Sequence, residues 1–490
     1  MTARGVGSTE PRKSGGAGLA GPGAEIWEPV IGLEIHVHLK TRTKMFCACE
    51  VVYSDPPNSH TCPVCLAHPG ALPVPNLLAI EHTVKLGLAL GCEIATRALF
   101  HRKNYFYPDN PKGYQISQYD VPLCGRGVFV VPKPDGDEEV GITRAHLEED
   151  AAKNVHVGGA GGRIGGSAHT NVDFNRGGTP LLEIVTEPDL RSAEDAKRFL
   201  QLLRQTIVEL GISDAEMEKG TLRADANVSV RKRGETGYRT RTELKNMNSF
   251  NFITRGMQAE IERQIGVWES GGEVVQQTFD FDAASGTLTP RRSKEEAEDY
   301  RYFPEPDLVP VEPGEELVER ARAAVPELPG TRLRRLEAEL DFDLAEGLVT
   351  SGRDGLYART PGDRRAVANV VMNELAGAGI DPDEVDGEEL GKLVEARASV
   401  PRAVFAEAIA RSGDAEFRAE PYLAELAVTD AGELGPLIDA ILAANPDQVA
   451  AFRGGKEGLL GFFVGQVMKE TGGKADPRAV NELLRVKLAG

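Results

Sequence analysis

The sequence predicts an α+β protein: a domain built on an antiparallel or mixed sheet, then an all-helical domain and a small helical tail. Three observations carry this. Before about residue 310, several segments alternate apolar and polar side chains with a period of two, the mark of strands covered on one face only. Helical stripes bounded by capping residues and glycines lie between those segments. Beyond Pro310 the alternation stops, and short Ala/Leu/Glu/Arg helices punctuated by Pro and Gly take over. At 490 residues, with 41% hydrophobic and 27% charged side chains, the chain has material for more than one core and is not disordered overall. No apolar run reaches the roughly 20 residues of a membrane span. The expected divisions are a disordered leader over 1–25, a sheet domain over 26–310, a helical domain over 311–415 and a helical tail over 416–490.

The first predicted strand is Ile31 to Leu39. Leu33, Ile35, Val37 and Leu39 share one side, and Glu34, His36 and His38 share the other. An acid and two imidazoles on one face suit a metal or proton-handling site, and a merely solvated strand face is the plainer alternative. Next come Cys47-Ala48-Cys49 and Cys62-Pro63-Val64-Cys65. Two close pairs on turns fit a four-thiolate structural zinc site, with reduced thiols or a disulfide as the other readings. Four protein ligands leave no open position, so such a zinc holds a loop and does no chemistry.

Asn76 is placed to cap a helix that Gly91 closes. Arg102 to Tyr119 carries Pro, Asn and Gly too densely for a regular element. Its aromatics, interleaved with Lys103 and other cations, suit an RNA end or a nucleotide, or else pin a long loop to the core. A strand over Val140–Asp150 turns acidic at Glu148 and Glu149. Glu183 lies inside the apolar run Leu181–Val185, where a carboxylate is costly without a compensating partner. Ser192 opens a helix that Gly211 stops, and a second helix runs from about Ser249 to Glu269. Between them, residues 223–231 put Arg223, Asp225, Asn227, Ser229 and Arg231 on one face, and Arg241, Glu243 and Lys245 repeat the theme. If these faces converge, they floor a sheet with carboxylates for a divalent cation and with cations for phosphates. If they do not meet, they are separate wet faces.

A net charge of -19 excludes indiscriminate nucleic-acid binding and leaves only a local patch, such as the cations from Arg453 to Lys487 in the tail. No P-loop, dinucleotide fingerprint or nucleophile elbow is present.

The blocks Val30–Val37, Arg102–Gln118, His146–Asp150, Leu182–Val185, Arg223–Ser229, Leu244–Phe250 and Asp299–Asp307 closely resemble the B subunit of the aspartyl/glutamyl-tRNA amidotransferases. The resemblance runs from about Trp27 to the C-terminus. It implies a catalytic cradle domain, a helical domain and a tRNA-gripping tail, in a cytoplasmic heterotrimer. The implied reaction phosphorylates the side-chain carboxyl of Glu-tRNA(Gln) or Asp-tRNA(Asn) with ATP and magnesium. Ammonia from a glutaminase partner, the A subunit, then displaces phosphate, and a small C subunit joins the two. Carried over by motif, Glu34, His36, Glu149 and Glu183 form the implied metal and activation set, with Glu148 and Asp225 as second choices. Glu149 is preferred to Glu148 on the family pattern and not on periodicity. Lys245 and Arg223 are implied phosphate partners. The cluster taken by itself also permits a metal-dependent phosphoesterase acting on RNA, and a non-catalytic tRNA-binding scaffold is a third reading.

Overall fold

The computed structural model describes residues 26–158, 166–282, 284–291, 299–424 and 431–489. The leader over 1–25 lies outside the described residues. The chain falls into two compact units, one reaching Pro326 and the other beginning at Glu327.

The first unit is organised by β1 (Trp27–His38). Further strands are β2 (His101–Asn104), β3 (Tyr114–Ser117), β4 (Gly127–Lys133), β5 (Gly136–Glu149), β6 (Lys153–Val157) and β7 (His169–Asp173). They are followed by β8 (Pro180–Thr186), β9 (Leu222–Lys232), β10 (Thr242–Lys245), β11 (Thr278–Asp282), β12 (Thr287–Pro290) and the short β13 (Phe303–Pro304). Eight of these form one mixed sheet in the order β12-β11-β10-β9-β1-β8-β5-β4. Only the β10–β11 pair is parallel, and β1 sits centrally between β8 and β9. Strands so alternating pair side by side because each has one face to bury. Leu33, Ile35 and Val37 of β1, Leu182 and Ile184 of β8, and Ala224, Ala226 and Val228 of β9 are all buried.

Three helices begin with a side-chain cap, two of them at the residues the sequence marks as openers, Asn76 and Ser192. Asn76 accepts from the backbone N–H groups of Leu78 and Ala79 at the head of α1 (Leu77–Ala89). Ser192 accepts from Asp195 N at the head of α2 (Ala193–Glu209), and Ser249 from Phe252 N at the head of α3 (Phe250–Glu269). Each such bond satisfies a donor that the helix itself leaves unpaired. Helices α2 and α3 pack on each other, α2 against β4 and α3 against β9, with Phe129 and Phe199 meeting edge to face. The unit extends past Pro310 because Val311 pairs with Ala98 and α4 (Glu315–Ala323) lies on α1, with Arg320 bonded to Glu81.

One stretch differs from its sequence reading. Residues 102–119 are not irregular throughout: β2 and β3 form a short hairpin flanked by β13. The tertiary pairing overrides turn-rich composition, because Asn104 and Tyr114 close the loop between them and Pro304 sits at the end of an edge strand, where no ladder N–H is required.

Among the described residues the second unit contains helices and no named strand. Leu434, Ile438, Phe463, Val467, Val480 and Leu484 are fully or nearly buried together near its end.

Candidate active site

Register decides which polar residues meet. His36 of β1 stands opposite Glu183 of β8, and Glu183 stands opposite His146 of β5. Directly opposed residues of antiparallel strands share a face, so an imidazole, a carboxylate and an imidazole form a row across three strands. Glu34 lies two residues before His36, and Glu148 two after His146, on the same face. His36 Nε2 is 3.6 Å from Glu183 Oε2, 3.8 Å from Glu34 Oε1 and 4.0 Å from Glu148 Oε1. His146 Nε2 is 3.6 Å from Glu183 Oε2 and 4.0 Å from Glu148 Oε2.

The floor is dry at its inner end: the Glu148 side chain is 4% exposed and that of Glu183 9%. Two acids this close and this buried do not ionise with equal ease. Burial pushes Glu148 up to about 7, and the neighbouring Glu183 charge adds to that. Glu183 is held well below the usual carboxylate range. Burial opposes this, but the hydrogen bond and charge of His36, with the charge of Lys103, outweigh it. Burial draws His146 down to about 4, so near neutral pH it is an uncharged imidazole with a lone pair to offer. For His36 burial is overcome by its hydrogen bond to Glu183 and the Glu148 charge, and its pKa rises. Burial beside Glu183 also raises Glu34.

Two groups that share Glu183 lie on this floor, Glu34/His36/Glu183 and His146/Glu148/Glu183, and within each the donor atoms lie within 4.8 Å of one another. Three carboxylates and two imidazoles are a donor set for a divalent cation. His146 Nδ1 is buried with no hydrogen-bond partner, a ring otherwise left poorly satisfied.

The remaining sequence candidates are placed as follows. Glu149 points to the opposite face from Glu148, as alternation requires. It binds Lys112 Nζ at 2.7 Å and accepts from Ile116 N at 3.0 Å, beside a cavity of about 280 Å³. Asp225 is held by Lys245 at 2.7 Å, and Lys245 also reaches Glu243 at 3.0 Å. Arg223 lies 3.4 Å from Asp150, which also bonds His38 Nε2 at 2.7 Å. His38 is therefore a partnered histidine outside the floor. Lys103 Nζ stands 5.0 Å from the ring centre of Tyr300. Burial works against its charge, but the Glu148 and Glu183 charges more than compensate and raise its pKa.

His146 and Arg144 are the floor residues that sequence reasoning left unassigned. The Arg144 guanidinium is 3.8 Å from Glu183. Period two along β5 carries the signal, since Arg144, His146 and Glu148 fall on one face.

The thiols of Cys47, Cys49, Cys62 and Cys65 also gather within 4.8 Å, and none is in a disulfide. Four sulfurs around one point fit a tetrahedral ion. The hydrogen bond with Cys47 draws Cys65 down to about 4. Burial opposes that shift, and the buried ammonium of Lys44, 3.7 Å away, assists it. Between the pairs, Tyr53 reaches back to Thr179 at 3.2 Å and to His38 at 3.5 Å.

Comparison with known proteins agrees with this layout. Residues 29–319 match the GatB/GatE catalytic domain family, and residues 358–488 the GatB domain family. The chain is 46% identical over 483 residues to the aspartyl/glutamyl-tRNA(Asn/Gln) amidotransferase B subunit of Syntrophotalea carbinolica, covering 95% of this chain and 99% of the relative. It is 46% identical over 482 residues to the protein of that name from Moorella thermoacetica, covering 94% and 100%. To its namesake from Geobacter sulfurreducens it is 47% identical over 487 residues, covering 95% and 100%. A catalytic-domain sheet with an acid–imidazole floor, followed by a helical unit, defines an enzyme subunit of the carbon–nitrogen ligase class. The chain belongs to the family of aspartyl/glutamyl-tRNA(Asn/Gln) amidotransferase B subunits.

Proposed function

We propose that this chain uses ATP to activate the side-chain carboxyl of Glu-tRNA(Gln), Asp-tRNA(Asn) or both, and passes the activated group to ammonia. A carboxylate resists attack by ammonia because its leaving group would be an oxide. Transfer of the γ-phosphoryl group to one carboxyl oxygen gives an acyl phosphate and ADP. Ammonia then forms the C–N bond, phosphate leaves with the C–O electrons, and a base takes the surplus proton. The observation that carries the reading is the convergence of Glu34, His36, His146, Glu148 and Glu183 on one sheet face of the matched catalytic domain.

Magnesium bound there would neutralise charge on the transferring phosphoryl group. Glu34, Glu148 and Glu183 would be its oxygen ligands, with His36 and His146 at its edge. Arg144 and Lys103 are the cations whose charge acts on Glu183, and they are the phosphate partners in this reading. Lys245 and Arg223 instead hold Asp225 and Asp150 in position. Next to Glu34 lies a cavity of about 470 Å³ lined by Tyr238, Arg144, Arg239 and Arg241, the size and charge suited to a nucleoside triphosphate. The Arg239 guanidinium lies over the rings of Trp27 and Trp268, at 5.0 and 4.8 Å, and is paired with Glu235. We assign zinc to the four cysteines as a brace.

The relatives carry the name of one component of a larger enzyme. This reading gives the chain a glutaminase partner, the A subunit, which supplies ammonia, and a small C subunit joining the two. It places the assembly in the cytoplasm, in translation, with the helical unit holding tRNA. No described helix is long and apolar enough to cross a membrane.

The reconstituted complex, given misacylated tRNA, glutamine, Mg²⁺ and ATP, is expected to form amidated tRNA only while ATP is present. Amide formed without ATP would overturn the activation step, and cleaved RNA would favour a phosphoesterase.

Cation binding should also be proton-linked. The Glu148 pKa of about 7 lies above its ordinary value, so its protonated form supports the fold at low pH, and that support is lost as pH rises through about 7. A cation must displace this proton. Magnesium affinity should therefore climb between about pH 6 and 8, with proton release detected by calorimetry in buffers of different ionisation heat. Affinity flat across that range would remove Glu148 from the ligand set.

A further inference from the structure

Three tyrosines that the chemistry above does not use stand in line beside the floor. The pairing of β13 with β2 brings residues 300–303 against the hairpin. There the rings of Tyr119 and Tyr302 stack face to face, centroids 4.3 Å apart and planes 8° from parallel. Tyr302 meets Tyr300 edge-on at 6.2 Å, and Tyr300 carries Lys103 over its ring. The series thus runs by direct contact from Tyr119 to the Lys103 ammonium, and the same hairpin meets the floor where Ser117 Oγ of β3 donates to Glu148 Oε2 at 3.1 Å. At its outer end Tyr119 is 52% exposed.

The backbone is bent to make this arrangement. Arg301 has φ +46°, a left-handed conformation that costs a non-glycine residue about 1 kcal/mol or more. Asn104 holds it there. Its side-chain amide donates to Tyr300 O at 3.1 Å and to Arg301 O at 2.8 Å, and its backbone N–H donates to Tyr300 O at 3.0 Å. The turn sets Tyr300 and Tyr302 into the ring series and leaves Arg301 exposed between them. A core could be filled without such a turn. A half-exposed ring, already stacked on Tyr302, with the exposed Arg301 next to Tyr302 in the chain, is instead the chemistry that receives an unpaired base and its phosphate.

We infer that the Tyr119–Tyr302 stack, with Arg301, seats the unpaired terminal base of the substrate RNA, so that the attached aminoacyl group runs past Tyr300 and Lys103 to the acid–imidazole floor. This rests on the amidotransferase reading and adds to it the subsite that positions the RNA end. The adenine of ATP is the competing occupant. It is disfavoured because the arginine-lined cavity adjoins Glu34, whereas the tyrosine series arrives through Lys103 beside Glu148.

The test uses the assembled complex and tRNA whose 3′-terminal adenine is replaced by 2-aminopurine, a base whose fluorescence is quenched by stacking. Wild type should quench it. Tyr119→Ala should lose the quench, Tyr119→Phe should keep it, and Arg301→Ala should weaken tRNA binding and lower its salt dependence by about one counter-ion. With aminoacylated tRNA, Tyr119→Ala should raise KM about tenfold, with a much smaller change in kcat. Unaltered quenching in a Tyr119→Ala variant of wild-type melting temperature would overturn the inference. So would a Tyr119-dependent quench of 2-aminopurine riboside triphosphate, which would assign the stack to the nucleotide. Because quenching is read without turnover, a complex that stacks the RNA end yet forms no amide would refute the amidotransferase reading and not this one.

Discussion

His36→Ala and Glu148→Gln are each expected to reduce ATP-dependent amide formation by about a thousandfold or more, while glutamine hydrolysis by the glutaminase partner continues. The size of the effect follows from where the two side chains stand. Both belong to the groups gathered around Glu183, and either change removes one of the charges or rings that compensate a buried neighbour as well as a donor to the cation. Rates of amidated-tRNA formation and of glutamate release, measured on the same preparation, separate the two activities. Glu149→Gln is the informative control. Its carboxylate holds Lys112 on the other face, so this variant should lose stability, by about 3 kcal/mol or more, yet retain magnesium binding that Glu148→Gln loses. Magnesium binding lost in Glu149→Gln and kept in Glu148→Gln would show that the adjacent acid is the ligand.

The paired change Cys62→Ser/Cys65→Ser should cost the protein one equivalent of zinc, read by metal analysis. It should also expose residues 47–65 to proteolysis, because metal binding and loop folding are one event in a four-thiolate site. The consequence should reach the sheet. Tyr53, carried between the two cysteine pairs, touches His38 and Thr179, and Met45 N donates to Gly178 O at 2.7 Å. The melting temperature of the first unit is therefore expected to fall by several degrees at least. Wild-type protein stripped with a chelator should behave in the same way. A chain purified with no zinc, whose cysteine variant melts like wild type, would reduce the cluster to four neighbouring thiols.

Much of this was legible from local pattern. Alternation along residues 31–39 and 223–231 located two adjacent strands of the sheet and named their buried faces, because a period of two is a property of the strand itself. Asn76 and Ser192 announced their helices, because a cap acts within three residues. Glu183 in an apolar run signalled a compensated carboxylate, and it stands between two imidazoles. What pattern did not reveal depends on pairing between distant segments. His146 joins His36 only because β8 lies between their strands, and the 102–119 stretch becomes a hairpin only once its two strands pair and β13 packs alongside.

The sequence by itself determined the α+β class, the polar and apolar faces of the strands at residues 31–39 and 223–231, the cysteine cluster and, through its long matching blocks, the family. Only the tertiary structure decided which polar faces share a floor. Glu148 and Glu149 are chemically alike and adjacent in the chain. One faces His36 and the other Lys112, because the β5–β8 register fixes which face of the sheet each occupies, and shifting the strand by one residue would exchange them.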